Sequence, residues 1–250
     1  MGIANPMTGI LKSSMAENIK LVYKYAFEDG TSKVFEVLLD SETLSLVSKP
    51  LDAAFLDSAP KWAELENHQC ENCTLPPSKH KYCPVALNLV GVAEAFKDLF
   101  SYEKVSVTVA AEERAYFRLT SVQEGLSPLI GVIMATSGCP VMDHLKPMAR
   151  FHLPFASIEE TAFRMASMYL MSRYFLNRSG KAADWSLDGL ADVYSEVGRV
   201  NRDFAQRLSE AAKRDASVNA LVNLDCFATL VPLKTEETLE VIKKYFSAYL

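Results

Sequence analysis

Alternation marks the first folded stretch of the chain. Ile19, Leu21, Tyr23, Tyr25 and Phe27 share one parity, with Lys20, Val22, Lys24 and Ala26 on the other. That period of two is the pattern of a strand with one buried face. Glu28-Asp29-Gly30 predicts a turn, Val34 to Leu39 a second strand, and Asp40-Ser41-Glu42 a further turn before a short third strand over Leu44 to Val47. Together these form an antiparallel meander. Val105, Val107 and Val109 alternate with Ser106 and Thr108. After Glu112-Glu113 the chain returns over Ala115 to Leu119, a second hairpin that pairs with the first sheet. Residues 1–16 carry no periodicity and read as a flexible tail. The segment 48–61, with Pro50 and Pro60, reads as a connection holding one helical turn around Ala53 to Leu56.

Elsewhere the apolar positions recur at helical spacing. Pro84 suits a first helical position, where its missing N–H is no loss, and Val85, Leu89, Val92, Ala93 and Phe96 continue a helix to about Leu99. Ser121-x-x-Glu124 and Ser157-x-x-Glu160 are capping boxes. The first opens a helix to about Ala135 despite Pro128, and the second a helix to about Leu176. Met165, Met168, Tyr169, Met171, Tyr174 and Phe175 cover more than one face of the latter, which predicts a central helix. A short helix over Pro140 to Ala149 lies between them. Leu190, Tyr194, Val197, Val200, Phe204 and Leu208 form one stripe over Leu187 to Ala212. Asp215 caps a helix over 216–231, and Thr235 caps a last one with Leu239, Ile242, Phe246 and Tyr249 on a face. The expected class is α+β: an N-terminal antiparallel meander and hairpin with a metal-binding loop, then a C-terminal bundle of about five helices. The β-rich region spans 17–120 and the helical region 121–250, packed as one compact unit.

Composition narrows the function classes. Hydrophobic residues make up 49% of the 250 positions and charged ones 23%, which is enough apolar chain for a substantial core. A net charge of −5 argues against nucleic-acid binding by bulk electrostatics. No apolar run spans a bilayer, so no membrane partner is expected. Met1 to Met15 lacks a basic region followed by an apolar core, so the expected setting is cytoplasmic. Five cysteines in a reducing compartment favour metal ligation over disulfides.

The candidate chemistry lies in Cys70-Glu71-Asn72-Cys73 and His80-Lys81-Tyr82-Cys83-Pro84. A Cys-x-x-Cys turn points two thiolates one way, and a second Cys/His pair closes a tetrahedron. Two closures are open. One is a local site of Cys70, Cys73, His80 and Cys83 holding zinc. The other replaces His80 with Cys139, giving a four-cysteine site for zinc or an iron–sulfur cluster. Cys83-Pro84-Val85 and Cys139-Pro140-Val141 echo one another, and both Cys-Pro pairs sit where helices open, a setting that stabilises a thiolate. Cys-Pro also resembles the last ligand of ferredoxin-type clusters, although the compact ferredoxin run is absent. The reading leans to Cys139, because Thr136-Ser137-Gly138-Cys139-Pro140 breaks an otherwise helical stretch. A redox pair or ordinary thiols is the plainer alternative.

Asp143, His144 and Lys146 fall within one turn of Cys139, where a polar helix face is the simpler reading. Arg150, His152, Glu159 and Glu160 are candidates to line a pocket. His68 is a candidate ligand or a partner of one, or else an exposed loop histidine; Cys226 is a core residue, and Asp225 an acid that must be exposed or paired. Phosphate-loop, dinucleotide, serine-elbow and His-Glu-x-x-His motifs are absent.

His68-Gln69-Cys70 with Asn72-Cys73, Tyr82-Cys83-Pro84-Val85-Ala86, Thr136-Ser137-Gly138-Cys139-Pro140 and Phe151-His152-Leu153-Pro154-Phe155 are together similar to an uncharacterised family of bacterial Cys/His-motif proteins. The resemblance spans most of the chain from about residue 17 and implies a bacterial, cytosolic setting. It implies no activity. Three classes follow. The first is a metal-stabilised structural or regulatory protein with an unknown protein or small-molecule partner. The others are an iron–sulfur redox or sensor protein, and an enzyme with a pocket from Cys139 to His152.

Overall fold

The computed structural model describes residues 18–47, 56 and 58–250. The expected tail and most of the 48–61 connection lie outside them. β1 (Ile19–Phe27), β2 (Ser32–Leu39), β3 (Lys104–Ala110) and β4 (Ala115–Ser121) form one antiparallel sheet in the order β2-β1-β3-β4. The two predicted hairpins meet through β1 and β3, with Tyr23 opposite Val109 and Tyr25 opposite Val107. One face carries the alternating set, so Leu21, Tyr23, Tyr25, Val37, Leu39, Val105, Val107 and Val109 are all buried.

The third strand does not form. Asp40 accepts from the backbone N–H of Thr43 at 2.7 Å, curling the chain, and Leu44 takes a positive φ of 56°. One bridge, Leu39 to Leu46, remains, and the Leu46 N–H turns to the Thr136 carbonyl at 2.8 Å.

Six α-helices and three 3₁₀ turns occur among the described residues, so the count differs from a bundle of about five. The α-helices are α1 (Pro84–Phe96), α2 (Val122–Thr136), α3 (Lys146–Arg150), α4 (Ile158–Arg178), α5 (Asp188–Ala211) and α6 (Ala216–Lys243). Ser157 and Glu160 form the full capping box at α4. At α2 the Ser121 hydroxyl accepts from Glu124 N, but the Glu124 carboxylate takes the Thr120 hydroxyl instead of closing the box. The stretch predicted as one short helix is a 3₁₀ turn, Met142–Leu145, followed by α3, because Pro147 can only sit in a first turn. The last two predicted helices are one, since α6 runs on through Thr235. Asp215 spends its carboxylate on Ser101, accepting from N at 2.8 Å and Oγ at 2.9 Å.

α2 lies directly on the sheet. A Cβ at Gly125 would come within 2.7 Å of Val107 Cγ2, so the close approach needs glycine. The Tyr25 hydroxyl donates to the Gly125 carbonyl at 3.1 Å, joining sheet and helix one turn before Pro128. α6 packs on α2, α4 and α5, and one continuous core joins the sheet to the helices. α4 is peripheral, not central. It buries Ala162, Met165, Ala166 and Tyr169, and leaves Phe163, Met171, Tyr174 and Phe175 exposed.

Candidate functional site

The cysteine loop is held against α5 by polar residues that share a helix face. Glu196, Asp203, Arg207 and Glu210 recur at helical spacing. Glu196 Oε2 accepts from Asn72 Nδ2 at 2.8 Å and Asp203 Oδ2 from the Glu71 N–H at 2.9 Å. Glu210 meets His68 Nε2 at 2.8 Å and Asn67 Nδ2 at 3.1 Å. These hydrogen bonds hold the Glu210 carboxyl below its usual range. His68, with φ 44°, is therefore a docking residue for the loop.

Arg207 is the deepest of the set, 1% exposed. Its guanidinium donates to the carbonyls of Trp62 (2.9 Å), Leu65 (3.0 Å), His68 (3.1 Å) and Glu64. The Cys83 N–H donates to Ala63 O at 2.9 Å and the Leu65 N–H to Lys81 O at 2.9 Å, closing the loop on itself.

Cys70, Cys73, Cys83 and Cys139 all line one apolar cavity of about 20 Å³, with Leu65, Leu75, Val85, Val200, Phe204 and Arg207. His80 is exposed on the loop and lies off that wall. The metal role expected from the spacing is overturned. Among the described residues, no group of three or more His, Cys, Asp or Glu side chains is arranged to hold a metal ion. The loop is held instead by its hydrogen bonds to α5 and packs on an apolar wall, where burial pushes the Cys70 thiol up to about 12 and raises those of Cys83 and Cys139. All five cysteines are free thiols. The break at Thr136-Ser137-Gly138-Cys139-Pro140 has a simpler cause. α2 ends there, with Gly138 at φ 86° in the left-handed position that closes a helix.

A much larger cavity, of about 640 Å³, lies between α2, α3, α4, α5 and α6 and the 151–157 connection. Its wall is mostly apolar, with Val132, Met142, Met148, Met165, Val197 and Leu224 among the lining residues. Charged Arg118, Glu124 and Glu160 are exposed and mark its mouth, while Arg164, Tyr194 and Asn201 stand deeper. Arg164 Nη2 donates to the carbonyls of Met148 (3.0 Å) and Phe151 (2.7 Å). No carboxylate stands within the 4.0 Å of an ion pair among the described residues, and burial pulls its pKa down. Tyr194 is 8% exposed, and burial raises its phenol well above the ordinary range. Asn201 is 2% exposed, and its Oδ1 has no hydrogen-bond partner.

His152 also lines this cavity, and its Nε2 meets the Tyr23 hydroxyl at 2.7 Å. Burial, with help from Arg164, lowers its pKa to about 3, so the imidazole is neutral. Glu160 lines the same cavity, whereas Arg150 and Glu159 do not. Cys139 belongs to the small cavity, so the expected pocket from Cys139 to His152 is divided between two. Asp143 pairs with Lys146 at 3.1 Å, and His144 Nδ1 meets Val141 O at 3.1 Å. Asp225 pairs with Arg202 at 3.4 Å, while Cys226 is exposed and not a core residue.

A family model described as a domain of unknown function, DUF6901, matches residues 21–247. The chain belongs to the DUF6901 family. That match runs from β1 past the end of α6, so sheet, cysteine loop and both cavities belong to one DUF6901 unit. No curated protein and no solved structure matches the chain. Among the described residues no helix is long and apolar enough to cross a membrane.

Proposed function

We propose that this protein binds a small molecule with an apolar body in the cavity between α2 and α6. The observation that carries this reading is the cavity itself. About 640 Å³ of space walled mainly by apolar side chains, with a few polar groups set deep in it, is the form that small-molecule sites take. An empty apolar void of that size forfeits dispersion contacts and destabilises the fold around it. An occupant of matching chemistry restores them. The site reads as binding, since the histidine on its wall, His152, has its Nε2 engaged with the Tyr23 hydroxyl, and Glu160 is engaged in the cap of α4.

The test uses N-phenyl-1-naphthylamine, a neutral apolar fluorophore that brightens out of water. Wild-type protein should bind one equivalent with increased fluorescence. Thr161→Trp, which puts a bulky ring into the cavity from α4, should weaken binding roughly tenfold or more, the expected cost of blocking a filled apolar pocket. No binding by the wild type would sink the reading. So would undiminished binding by a Thr161→Trp protein whose folding is intact by circular dichroism.

A further inference from the structure

The cavity has charge as well as shape. Arg118, Glu124 and Glu160 stand at its mouth in water, and the two carboxylates already have donors, the Thr120 hydroxyl and the Ser157 N–H. Arg164 is different. It rises from α4 between buried Ala162 and Met165, and its Nη2 is spent on the Met148 and Phe151 carbonyls. That leaves the Nε–H and the Nη1 hydrogens of the guanidinium without an acceptor among the described residues, donors that can take a carboxylate oxygen in a charge-assisted hydrogen bond. Tyr194 adds a hydroxyl with no hydrogen bond to any described residue. Two turns further along α5 the Asn201 carboxamide lines the same cavity, with Nδ2 as the group that can donate to a carboxylate. A partly buried cation with no ion-pair partner within 4.0 Å among the described residues, and with the exposed Glu160 carboxylate acting on it from farther off, is costly to maintain, and an anion arriving in the cavity reduces that cost.

The geometry points to an organic acid as the occupant, its carboxylate on Arg164 beside Tyr194 and Asn201 and its apolar body against Met148, Met165 and Leu224. This assignment rests on the cavity being a binding site and adds the class of molecule that fills it. The neutral state of His152 fits, since the wall then carries no second buried cation, and the head group is directed to α4 and away from Tyr23.

The experiment displaces bound N-phenyl-1-naphthylamine with decanoate or with decan-1-ol, which share a tail and differ in charge. Wild-type protein should release the probe at roughly tenfold lower decanoate than decanol, the size of effect expected for a charge-assisted hydrogen-bonded head. Arg164→Gln should lose that preference while still binding the neutral probe, and Arg164→Lys should keep part of it. Equal displacement by the two ligands in the wild type overturns the acid assignment and leaves the cavity reading standing. A preference that survives in a folded Arg164→Gln protein also overturns the assignment. Absence of probe binding in the wild type sinks the cavity reading, and the acid assignment with it.

Discussion

Replacing Arg207 with methionine should unfold the cysteine loop from α5 and cost the protein much of its stability. Methionine ends about where Nε stands, so the change keeps most of the apolar stem and removes the guanidinium. Two of the four accepting carbonyls, Trp62 O and Leu65 O, are reached through fully buried hydrogen bonds; those of Glu64 and His68 lie nearer water. A buried carbonyl stripped of its donor costs about 1–3 kcal/mol, so the two buried ones together cost roughly 4 kcal/mol. Water can rescue the outer pair. Removing a buried charge works in the opposite direction, and swapping a whole ion network for apolar groups is often neutral. Here that relief is incomplete. The partners are backbone carbonyls, which stay behind unpaired. The net expectation is a loss of about 4 kcal/mol and a drop in Tm of about 8–16 °C for a chain of this size. Urea denaturation should show a lower midpoint with an unchanged slope. Amide exchange over residues 64–73 should speed up more than in the β1–β3 pair. Arg207→Lys, one compact donor in place of a fork, should fall between. A loss under 1 kcal/mol for Arg207→Met, or exchange in the loop no faster than before, would refute the reasoning.

Two further outcomes follow from buried titratable groups. His152 has a folded pKa of about 3 against about 6.5 in the unfolded chain, so between these values the folded state binds fewer protons. Its contribution is complete above pH 6.5 and lost as pH falls toward 3. From pH 7 to pH 5 that amounts to about 2 kcal/mol, so His152→Gln should flatten the urea-stability profile by that much; an unchanged pH slope counts against it. Among the thiols, Cys226 is exposed on α6, whereas burial, then the neighbouring Cys83 and Asp203, push Cys70 up to about 12. At pH 8 only about one Cys70 in ten thousand is thiolate. A thiol-reactive dye should therefore show a fast phase that Cys226→Ser abolishes, and mass spectrometry should find Cys70 unlabelled while the protein stays native. Cys70 labelling as fast as Cys226 would contradict the packing.

The strands were legible because the period-two pattern is local and the sheet buries one face only. Tyr23 and Tyr25 fall on that face in sequence and in space. The helix ends were legible where a side chain caps, as at Ser157, and illegible where a polar residue found a distant partner. Asp215 turned to Ser101, and Leu46 spent its N–H on the end of α2. The cysteine spacing brought Cys70, Cys73, Cys83 and Cys139 to one wall, but spacing carries no information about what fills the space between them. Apolar side chains and Arg207 share that wall, and burial there raises the Cys70, Cys83 and Cys139 thiols.

The larger cavity had a signal that the apolar stripe of α5 concealed. Tyr194, Val197, Phe204 and Leu208 define a buried face, and Asn201 falls on that same face, with Arg207 one turn after Phe204. A polar residue set into a buried stripe must find a partner or line a space. Each does one of these on a different side of the helix. Tyr194, Val197 and Asn201 line the large cavity, while Val200, Phe204 and Arg207 line the small one. α5 is thus the wall shared by both. This is why Cys139 and His152, thirteen residues apart in sequence, look into separate spaces. Arg164 carried the same kind of signal on α4, a cation between Ala162 and Met165 on the face that packs inward. Reading buried stripes for the polar residues that interrupt them, and not for their apolar members, leads from this sequence to the groups that line both cavities.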